Sequence, residues 1–169
     1  MSQSRYAQKV LMHFGMSECR PISTPCELKL EWSKQSPLMN DPSLYREMIG
    51  NLMYLMTTTR PDLAFVVTGL SQFLKKPTVD HLKCVKRVFR YLKGTCDKEL
   101  IFVKGEELLL TGFSDSDWGN SSDRKSIGGY CFVLNPLSGG LISWRSKKQS
   151  IVALSTCEAE YVAMCDATK

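Results

Sequence analysis

The sequence predicts an α+β protein, in which a helical region is followed by a mixed sheet of three main antiparallel strands with one covering helix. Apolar residues recur every three or four positions as far as Thr95, which is the period of helices. From Glu99 the pattern changes to short apolar runs separated by turn residues, which is typical of strands. The chain therefore divides into residues 1–40, a helix with an extended connector; residues 41–97, a helical region; and residues 98–169, the sheet with its helix.

The first segment begins with a helix and continues as a connector. From Ser2 to Phe14 the apolar residues follow helical spacing, and Gly15 can end this helix as its C′ residue. Three prolines and little periodicity between Gly15 and Asn40 predict an extended, poorly packed connector.

The second segment begins with a well-marked helix. Asp41 and Pro42 supply an Asp cap and a proline at the first helical position. The helix runs to the break at Thr57–Thr59, and its predicted apolar stripe is Leu44, Tyr45, Met48, Ile49, Leu52 and Leu55.

Two more helices are predicted on either side of Pro77. Arg60-Pro61-Asp62 opens the first and Pro77 ends it, while Thr78 caps the second and Gly94 closes it. The predicted buried residues are Leu63, Val66, Val67, Leu70, Phe73 and Leu74 in the first helix, and Leu82, Val85, Val88, Phe89 and Leu92 in the second.

The polar face of the helix after Thr78 carries a basic stripe. The stripe consists of Lys83, Lys86, Arg87, Arg90 and Lys93, which lie on one face because they are three or four residues apart. Two interpretations stay open: a solvated helix face, or a surface that contacts nucleic-acid phosphates in a salt-sensitive, sequence-blind way. Arg124-Lys125 and Lys147-Lys148 could extend such a surface.

The third segment contains four runs with the character of strands. They are Leu100–Val103 and Leu108–Phe113, separated by a turn at Lys104–Glu106, and Gly129–Leu134 and Gly140–Trp144, joined as a hairpin by Asn135–Gly139. A small sheet with one covering helix leaves one edge and much of one face open. The preceding helices could cover that surface, or it could pair with a partner.

Acidic residues stand at the end of the strand run after Leu108 and in the last helix. The order strand, hairpin, helix can bring Asp115 at the strand end close to Glu160 in the helix. Two carboxylates at a sheet edge can bind Mg²⁺ or Mn²⁺, which prefer oxygen ligands, although two alone bind weakly. The alternative is that both are solvated acids. Asp117 and Glu158 are weaker candidates.

Composition narrows the possible functions. The net charge of +5 fits a nucleic-acid partner without requiring one. Seven cysteines without a C-x-x-C pair, and only two histidines, give little support to a zinc site and predict reduced thiols in the cytoplasm or nucleus. The sequence shows neither the apolar segment of a signal peptide nor a run of about 20 apolar residues that could span a membrane.

Several blocks of the sequence together resemble the Pol polyprotein of copia-type retrotransposons. Leu109–Trp118, Arg124–Tyr130, Ile142–Gln149 and Ala153–Tyr161 resemble the ribonuclease H region of that family. Ile49–Leu55, Thr59–Asp62 and Arg90–Thr95 resemble the block that joins the polymerase to ribonuclease H, and Gly15–Pro25 resembles the segment after the polymerase palm. The resemblance covers nearly the whole chain.

The resemblance implies a C-terminal Pol fragment: the end of the reverse transcriptase thumb and connection, then the N-terminal half of a truncated ribonuclease H-like domain. In the family, the acids at the positions of Asp115 and Glu160 are metal ligands and hence catalytic. The reaction uses two divalent ions held by about four carboxylates, and we expect the other two carboxylates to lie beyond Lys169. Asp166 is no substitute, because six residues along a helix it faces elsewhere. The Tyr-x-Asp-Asp polymerase motif does not occur in the sequence.

We therefore expect a catalytically inactive fragment that binds nucleic acid weakly and non-specifically through the basic stripe. Its cofactor would be Mg²⁺ or Mn²⁺ if it has one, and we expect none to be bound. One alternative is a residual or partner-completed ribonuclease H that acts on RNA·DNA hybrid. Another is a domesticated interaction module or effector, whose open sheet edge contacts the parent Pol polyprotein or another protein. The incomplete acidic site favours a protein that is not an enzyme but leaves the question open.

Overall fold

The computed structural model describes residues 1–27, 36–104, 109–119, 123–135 and 139–169. Its contacts divide the chain into two compact units, Met1–Glu99 and Leu100–Lys169. The first unit is helical and the second contains an antiparallel sheet and a helix, so the predicted α+β class is confirmed. None of the described helices is both long enough and apolar enough to cross a membrane.

The described part of the first unit is built from four α-helices and one short 3-10 helix. They are α1 (Ser4–His13), α2 (Ser43–Thr58), the 3-10 helix Pro61–Leu63, α3 (Ala64–Ser71) and α4 (Val79–Lys93). Their apolar faces meet in one core, because residues three and four apart share a side of a helix. As predicted, the core contains Tyr45, Met48, Ile49, Leu52 and Leu55 from α2, and Val85, Val88, Phe89 and Leu92 from α4. Leu44 departs from the prediction: it lies beside the stripe and is 44% exposed.

The ends of α4 follow the signals read from the sequence. The side-chain oxygen of Thr78 accepts from the amide of His81 at 3.3 Å, and the amide of Thr78 donates to Nδ1 of His81 at 3.0 Å. This reciprocal pair is a capping box in which histidine takes the place usually held by glutamate or glutamine. Gly94 forms the C-cap. The helix that carries the basic stripe is therefore fixed at both ends.

The helix predicted between Arg60 and Pro77 is interrupted and shorter. A 3-10 turn comes first, and α3 ends at Ser71, so Phe73 and Leu74 lie beyond it. Their amides donate to carbonyls three residues back, which replaces the α-helical pattern with tighter turns. The hydroxyl of Ser71 also donates to the carbonyl of Thr68, a bond that competes with helix continuation.

The connector after Gly15 is packed better than its prolines predicted. Met16, Ile22 and Cys26 are partly buried against the helical core. Pro21 also approaches α4, because a Cβ built on Gly94 would lie 3.1 Å from the Cβ of Pro21. The described part of the connector therefore packs against the helical core.

The second unit is a three-stranded antiparallel sheet with one helix. Its elements are β1 (Leu110–Ser116), β2 (Ile127–Leu134), β3 (Leu141–Lys148) and α5 (Thr156–Ala167), and the strand order is β1-β2-β3. In the register Asp115 lies opposite Gly129 and Ser116 opposite Gly128. Leu108, most of the turn at 104–106 and the centre of the hairpin connection at 136–138 fall outside the described residues.

Helix α5 packs closely on one face of the sheet. Ala159 and Ala163 are buried, and a Cβ on Gly128 would lie 3.3 Å from the Cβ of Ala163. The small residues permit this approach, because larger side chains would hold the helix further from the strands. Phe113 points to the other face, where it is 55% exposed.

The short strand predicted at Leu100–Val103 does not form. Phe102 makes one isolated bridge to Gly139, and Ile101, Phe102 and Val103 are all exposed. The run has apolar composition, but a strand also needs a continuous ladder with a neighbour, and here only one bridge forms.

Candidate functional site

Glu160 lies at the open edge of β1. The amide of Asp117 donates to Ile127 of β2 at 3.2 Å. Amides of successive strand residues point to opposite sides, so the amide of Ser116 faces away from β2. There it donates to Oε1 of Glu160 at 3.3 Å. Helix α5 thus brings one predicted site carboxylate to the backbone of β1.

Asp115 is the residue directly before Ser116. The hydroxyl of Ser116 accepts from Nε2 of Gln149 at 3.2 Å, and the same nitrogen donates to the carbonyl of Ala159 in α5 at 2.8 Å. Ser116 therefore faces α5, and strand alternation directs Asp115 to the opposite face. Asp115 is exposed. Strand alternation thus places Asp115 on the face of β1 opposite α5, whereas Glu160 on α5 bonds the backbone at the edge of β1.

The two weaker candidate acids have structural roles. A carboxylate oxygen of Asp117 accepts the amide of Ile127, which extends the pairing of β1 with β2 beyond the strand end. Oε2 of Glu158 accepts the amide of Leu154 at 2.6 Å, while the hydroxyl of Ser155 accepts the amide of Glu158 at 3.1 Å. These bonds satisfy backbone groups at the start of α5.

Gln149 was missed by the sequence analysis. Its side chain is buried, and its Nε2 joins β1 to α5 through Ser116 and Ala159, while its Oε1 has no acceptor role in the described structure. A lone glutamine in a basic run gives no sequence signal for such a position. It supports the backbone to which Glu160 is bound.

The acids of the described residues do not fit a two-metal centre. No group of three or more His, Cys, Asp or Glu side chains is placed to hold a metal ion within the described part of the chain. Metal-assisted hydrolysis by two ions about 4 Å apart needs more carboxylates than Asp115 and Glu160 supply. Asp166 forms an ion pair with Lys169 at 3.3 Å.

The basic stripe is present on α4, and part of it holds the connector. Lys83 pairs with Asp80 at 2.8 Å. Nη2 of Arg87 donates to Thr24 at 3.1 Å, and Nε of Arg90 donates to the carbonyl of Arg20 at 2.8 Å. The other members, Lys86 and Lys93, are exposed and make no ion pair with the described residues.

Part of this stripe borders an open cleft of about 340 Å³. The cleft is lined by Glu27, Asp80, Lys83, Cys84, Lys86, Arg87 and Arg90. Lys93 is outside it. The stripe therefore has two parts. Four of its residues line the cleft together with two carboxylates, and Lys93 is exposed outside the cleft.

The other predicted basic residues belong to the second unit, in which two of them, Lys147 and Lys148, pair with acids. Lys148 contacts Asp123 at 2.8 Å, and Lys147 lies 4.0 Å from Asp166. The hydrogen bond from Lys148 lowers the pKa of the Asp123 carboxyl.

A polar network around Arg60 was also missed. Arg60 is only 3% exposed and donates two hydrogen bonds to Asp62, at 2.9 and 2.8 Å. Tyr91 donates its hydroxyl to Asp62 at 2.8 Å, and Lys98 donates to that hydroxyl at 3.0 Å. Burial opposes ionisation of Asp62, but the bonds from Arg60 and Tyr91 outweigh it and lower the pKa of the carboxyl. The two blocks Thr59–Asp62 and Arg90–Thr95 therefore meet in this network.

Comparison with known proteins identifies the class of protein to which the chain belongs. The chain is 41% identical over 165 residues to an uncharacterized mitochondrial protein of Arabidopsis thaliana. This match covers 97% of the chain and 67% of that protein. It is 41% identical over 179 residues to the retrovirus-related Pol polyprotein from transposon TNT 1-94 of Nicotiana tabacum, covering 100% of this chain and 13% of the polyprotein. It is 48% identical over 126 residues to the secreted RxLR effector protein 161 of Plasmopara viticola, covering 74% of this chain and 87% of that protein.

The Pol polyproteins among its relatives define the class of the chain, which is that of retrotransposon Pol sequences. The chain belongs to the copia-type retrotransposon Pol family, as the resemblance predicted. It spans only a small part of the polyprotein relatives. No protein-family model and no solved structure matches the chain.

Proposed function

We propose that this Pol-derived chain binds nucleic acid through the basic face of α4 and does not cleave it. The proposal is carried by one observation: the five cations of the stripe lie along a helix that is capped at both ends. Lys86 and Lys93 are exposed and make no ion pair with the described residues. Cations arranged in this way contact phosphates, which carry no base information, so the binding is sequence-blind.

The same geometry predicts weak binding. Lys83, Arg87 and Arg90 already have partners within the protein, and a phosphate must compete with them. The competition is feasible because exposed ion pairs such as Lys83–Asp80 contribute only about 0–1 kcal/mol. The resulting affinity falls steeply with salt, since each phosphate contact releases condensed counter-ions.

A salt titration of binding tests this proposal. Affinity for single-stranded DNA is measured across a tenfold range of salt, for the unmodified protein and for Lys86→Gln/Lys93→Gln. We expect the double substitution to reduce the salt slope by about 0.7 for each phosphate contact that it removes. The matched control Lys9→Gln/Lys75→Gln removes the same charge from exposed positions that are not part of the stripe. Equal slopes for the two double variants would contradict the assignment to α4.

The absence of cleavage forms the second half of the proposal. We propose that the sheet unit derives from a ribonuclease H region, and that Asp115 and Glu160 descend from its metal ligands. Asp115 lies on the face of β1 opposite α5, and no group of three or more described His, Cys, Asp or Glu side chains could hold a metal ion, which supports an inactive remnant. None of the seven cysteines, all of which are described, forms a disulfide, which suits the reducing cytoplasm or nucleus that we propose as its location.

A second candidate function is that of a protein-interaction module. One relative is named a secreted effector, and Phe113 leaves apolar surface on β1, whose second edge pairs with no strand of the described residues. An edge strand with free backbone groups can pair with a strand of another protein. Gel filtration with a parent Pol polyprotein fragment tests this candidate. A stoichiometric complex that is lost in Phe113→Glu would support it, and separate elution of the two proteins would exclude this partner.

A further inference from the structure

We propose that the cleft on α4 is a binding site for one terminal phosphate, in the form of a phosphate dianion. This inference rests on the proposed function and specifies it, because it places the end of a nucleic-acid strand in the cleft. Internal phosphodiesters would then contact the exposed part of the stripe, at Lys93. The same chemistry is offered by free inorganic phosphate.

The charge of the cleft selects a dianion. Among the described residues, four cations line it, Lys83, Lys86, Arg87 and Arg90, together with the carboxylates of Glu27 and Asp80. The excess of two positive charges matches a phosphomonoester, which carries about −1.5 to −2 near neutral pH. An internal phosphodiester carries a single negative charge and would leave the cleft with a net positive charge.

Arg87 is the central donor of the proposed site. Its Nε is buried and has no hydrogen-bond acceptor in the described structure. Nη2 donates to Thr24 at 3.1 Å, and Nη1 lies 3.5 Å from Oε1 of Glu27. A guanidinium prefers to present two parallel N–H groups to two oxygens, and this carboxylate engages it at one nitrogen only. The carboxylate therefore uses the guanidinium fork incompletely, and a phosphate in the place of Glu27 can present two oxygens to it.

Glu27 is the residue that a phosphate would replace. It is 59% exposed, and its distance of 3.5 Å to Arg87 is long for a charge-assisted hydrogen bond. An exposed pair of this kind contributes little to stability, so its displacement costs little. We therefore assign Glu27 as an internal counter-ion that weakens phosphate binding by competition.

The test compares two DNA oligonucleotides of one sequence, one with a 5′-phosphate and the other with a 5′-hydroxyl. Both carry the same 3′ fluorophore, and their binding to the full chain is followed by anisotropy at low salt. We expect the phosphorylated strand to bind about tenfold more tightly, the value of one added charge-assisted contact. Inorganic phosphate should abolish this difference and leave the binding of the 5′-hydroxyl strand unchanged.

Three variants test whether the preference for the 5′-phosphate arises in the cleft. Arg87→Gln should bind the two oligonucleotides equally, and Glu27→Gln should widen the difference between them. Lys93→Gln, on the same helix but outside the cleft, should weaken both and keep their ratio. Circular dichroism and thermal unfolding check that each variant is folded, and Glu27→Gln tests the site if Arg87→Gln does not fold.

Two results would overturn the proposal: equal binding of both strands by the unmodified protein, or an unchanged ratio in Arg87→Gln and Glu27→Gln. If both strands bind equally with the salt slope described above, the terminal-phosphate site fails and nucleic-acid binding by α4 stands. If neither strand binds, the proposed function fails. Calorimetry with inorganic phosphate then tests the phosphate site in the cleft by itself. Binding that is lost in Arg87→Gln would support the site, and no binding to the unmodified protein would refute it.

Discussion

The guanidinium of Arg60 is bonded to Thr95, 35 residues further along the chain. Nη1 donates to the carbonyl oxygen at 3.0 Å and Nη2 to the hydroxyl at 2.6 Å. The contact joins the turn before α3 to the residues that follow α4. Because Asp62 balances the charge of Arg60, the network can remain buried without an unpaired ion.

Removing Arg60 should therefore destabilise the helical unit. Arg60→Met leaves the Asp62 carboxylate without its main partner and the carbonyl of Thr95 without a side-chain donor. We expect a loss of about 3–5 kcal/mol in the free energy of unfolding, measured by urea denaturation. Arg5→Met, at an exposed position on α1, is the control and should change the free energy by no more than about 0.5 kcal/mol. Similar small losses in both variants would refute the role assigned to Arg60.

The lowered pKa of Asp62 predicts an acid-sensitive contribution to stability. A carboxyl whose folded pKa lies below its unfolded pKa stabilises the protein above the unfolded value, and this stability is lost as the pH falls through the folded value. Unfolding free energies measured from neutral pH down to about pH 3 should decline partly through this group, since the unfolded Asp pKa is about 3.9. Asp62→Asn should be less stable at neutral pH and show a shallower decline. An identical slope in both proteins would exclude Asp62 as a source of the acid sensitivity.

The capping box gives a test of how α4 is held. Thr78→Ala removes the acceptor for the amide of His81 and should cost about 1–2 kcal/mol of unfolding free energy. Thr57→Ala is the matched control, because Thr57 is exposed near the end of α2 and its hydroxyl donates to backbone carbonyls of the same helix. A denaturation series should show a clear loss for the first variant and little change for the second. If both change alike, the cap does not fix α4.

Two glycine substitutions should have opposite effects. In Gly128→Val the branched side chain would meet Ala163 of α5, and we expect overpacking to cost about 1–3 kcal/mol. Gly50 lies within α2 with no atom near its missing Cβ, so Gly50→Ala should stabilise the chain by about 1 kcal/mol. Thermal unfolding followed by circular dichroism compares the two. A harmless Gly128→Val would show that α5 does not require this close approach.

The sequence was sufficient for elements defined by local patterns. The stripe of α2, except for Leu44, and the signals at Thr78 and Gly94 were read correctly, because spacing and capping depend on residues within a few positions. The end of α3 was predicted too late, since Phe73 and Leu74 continue the apolar spacing after the backbone has left the helix. The run Leu100–Val103 failed as a strand because composition does not supply a pairing partner.

The candidate sites also divide into features that local sequence predicts and contacts that only the fold shows. Local spacing predicted the stripe on α4, and the family resemblance selected Asp115 and Glu160 over Asp117 and Glu158. The partners of these residues come from distant positions. Arg60 meets Thr95, and Gln149 meets Ser116, across separations of 35 and 33 residues. Nothing in the local sequence marks such a contact, so the Arg60 network and the support of Ser116 became visible only in the fold.

The most direct test of binding without cleavage is a single gel. End-labelled RNA·DNA hybrid is incubated with the protein and Mn²⁺ at low salt, then divided between a native lane and a denaturing lane. The account predicts a shifted band in the native lane and a full-length strand in the denaturing lane, for both the unmodified protein and Asp115→Asn. Cleaved RNA that disappears in Asp115→Asn, or the lack of any shifted band, would contradict it.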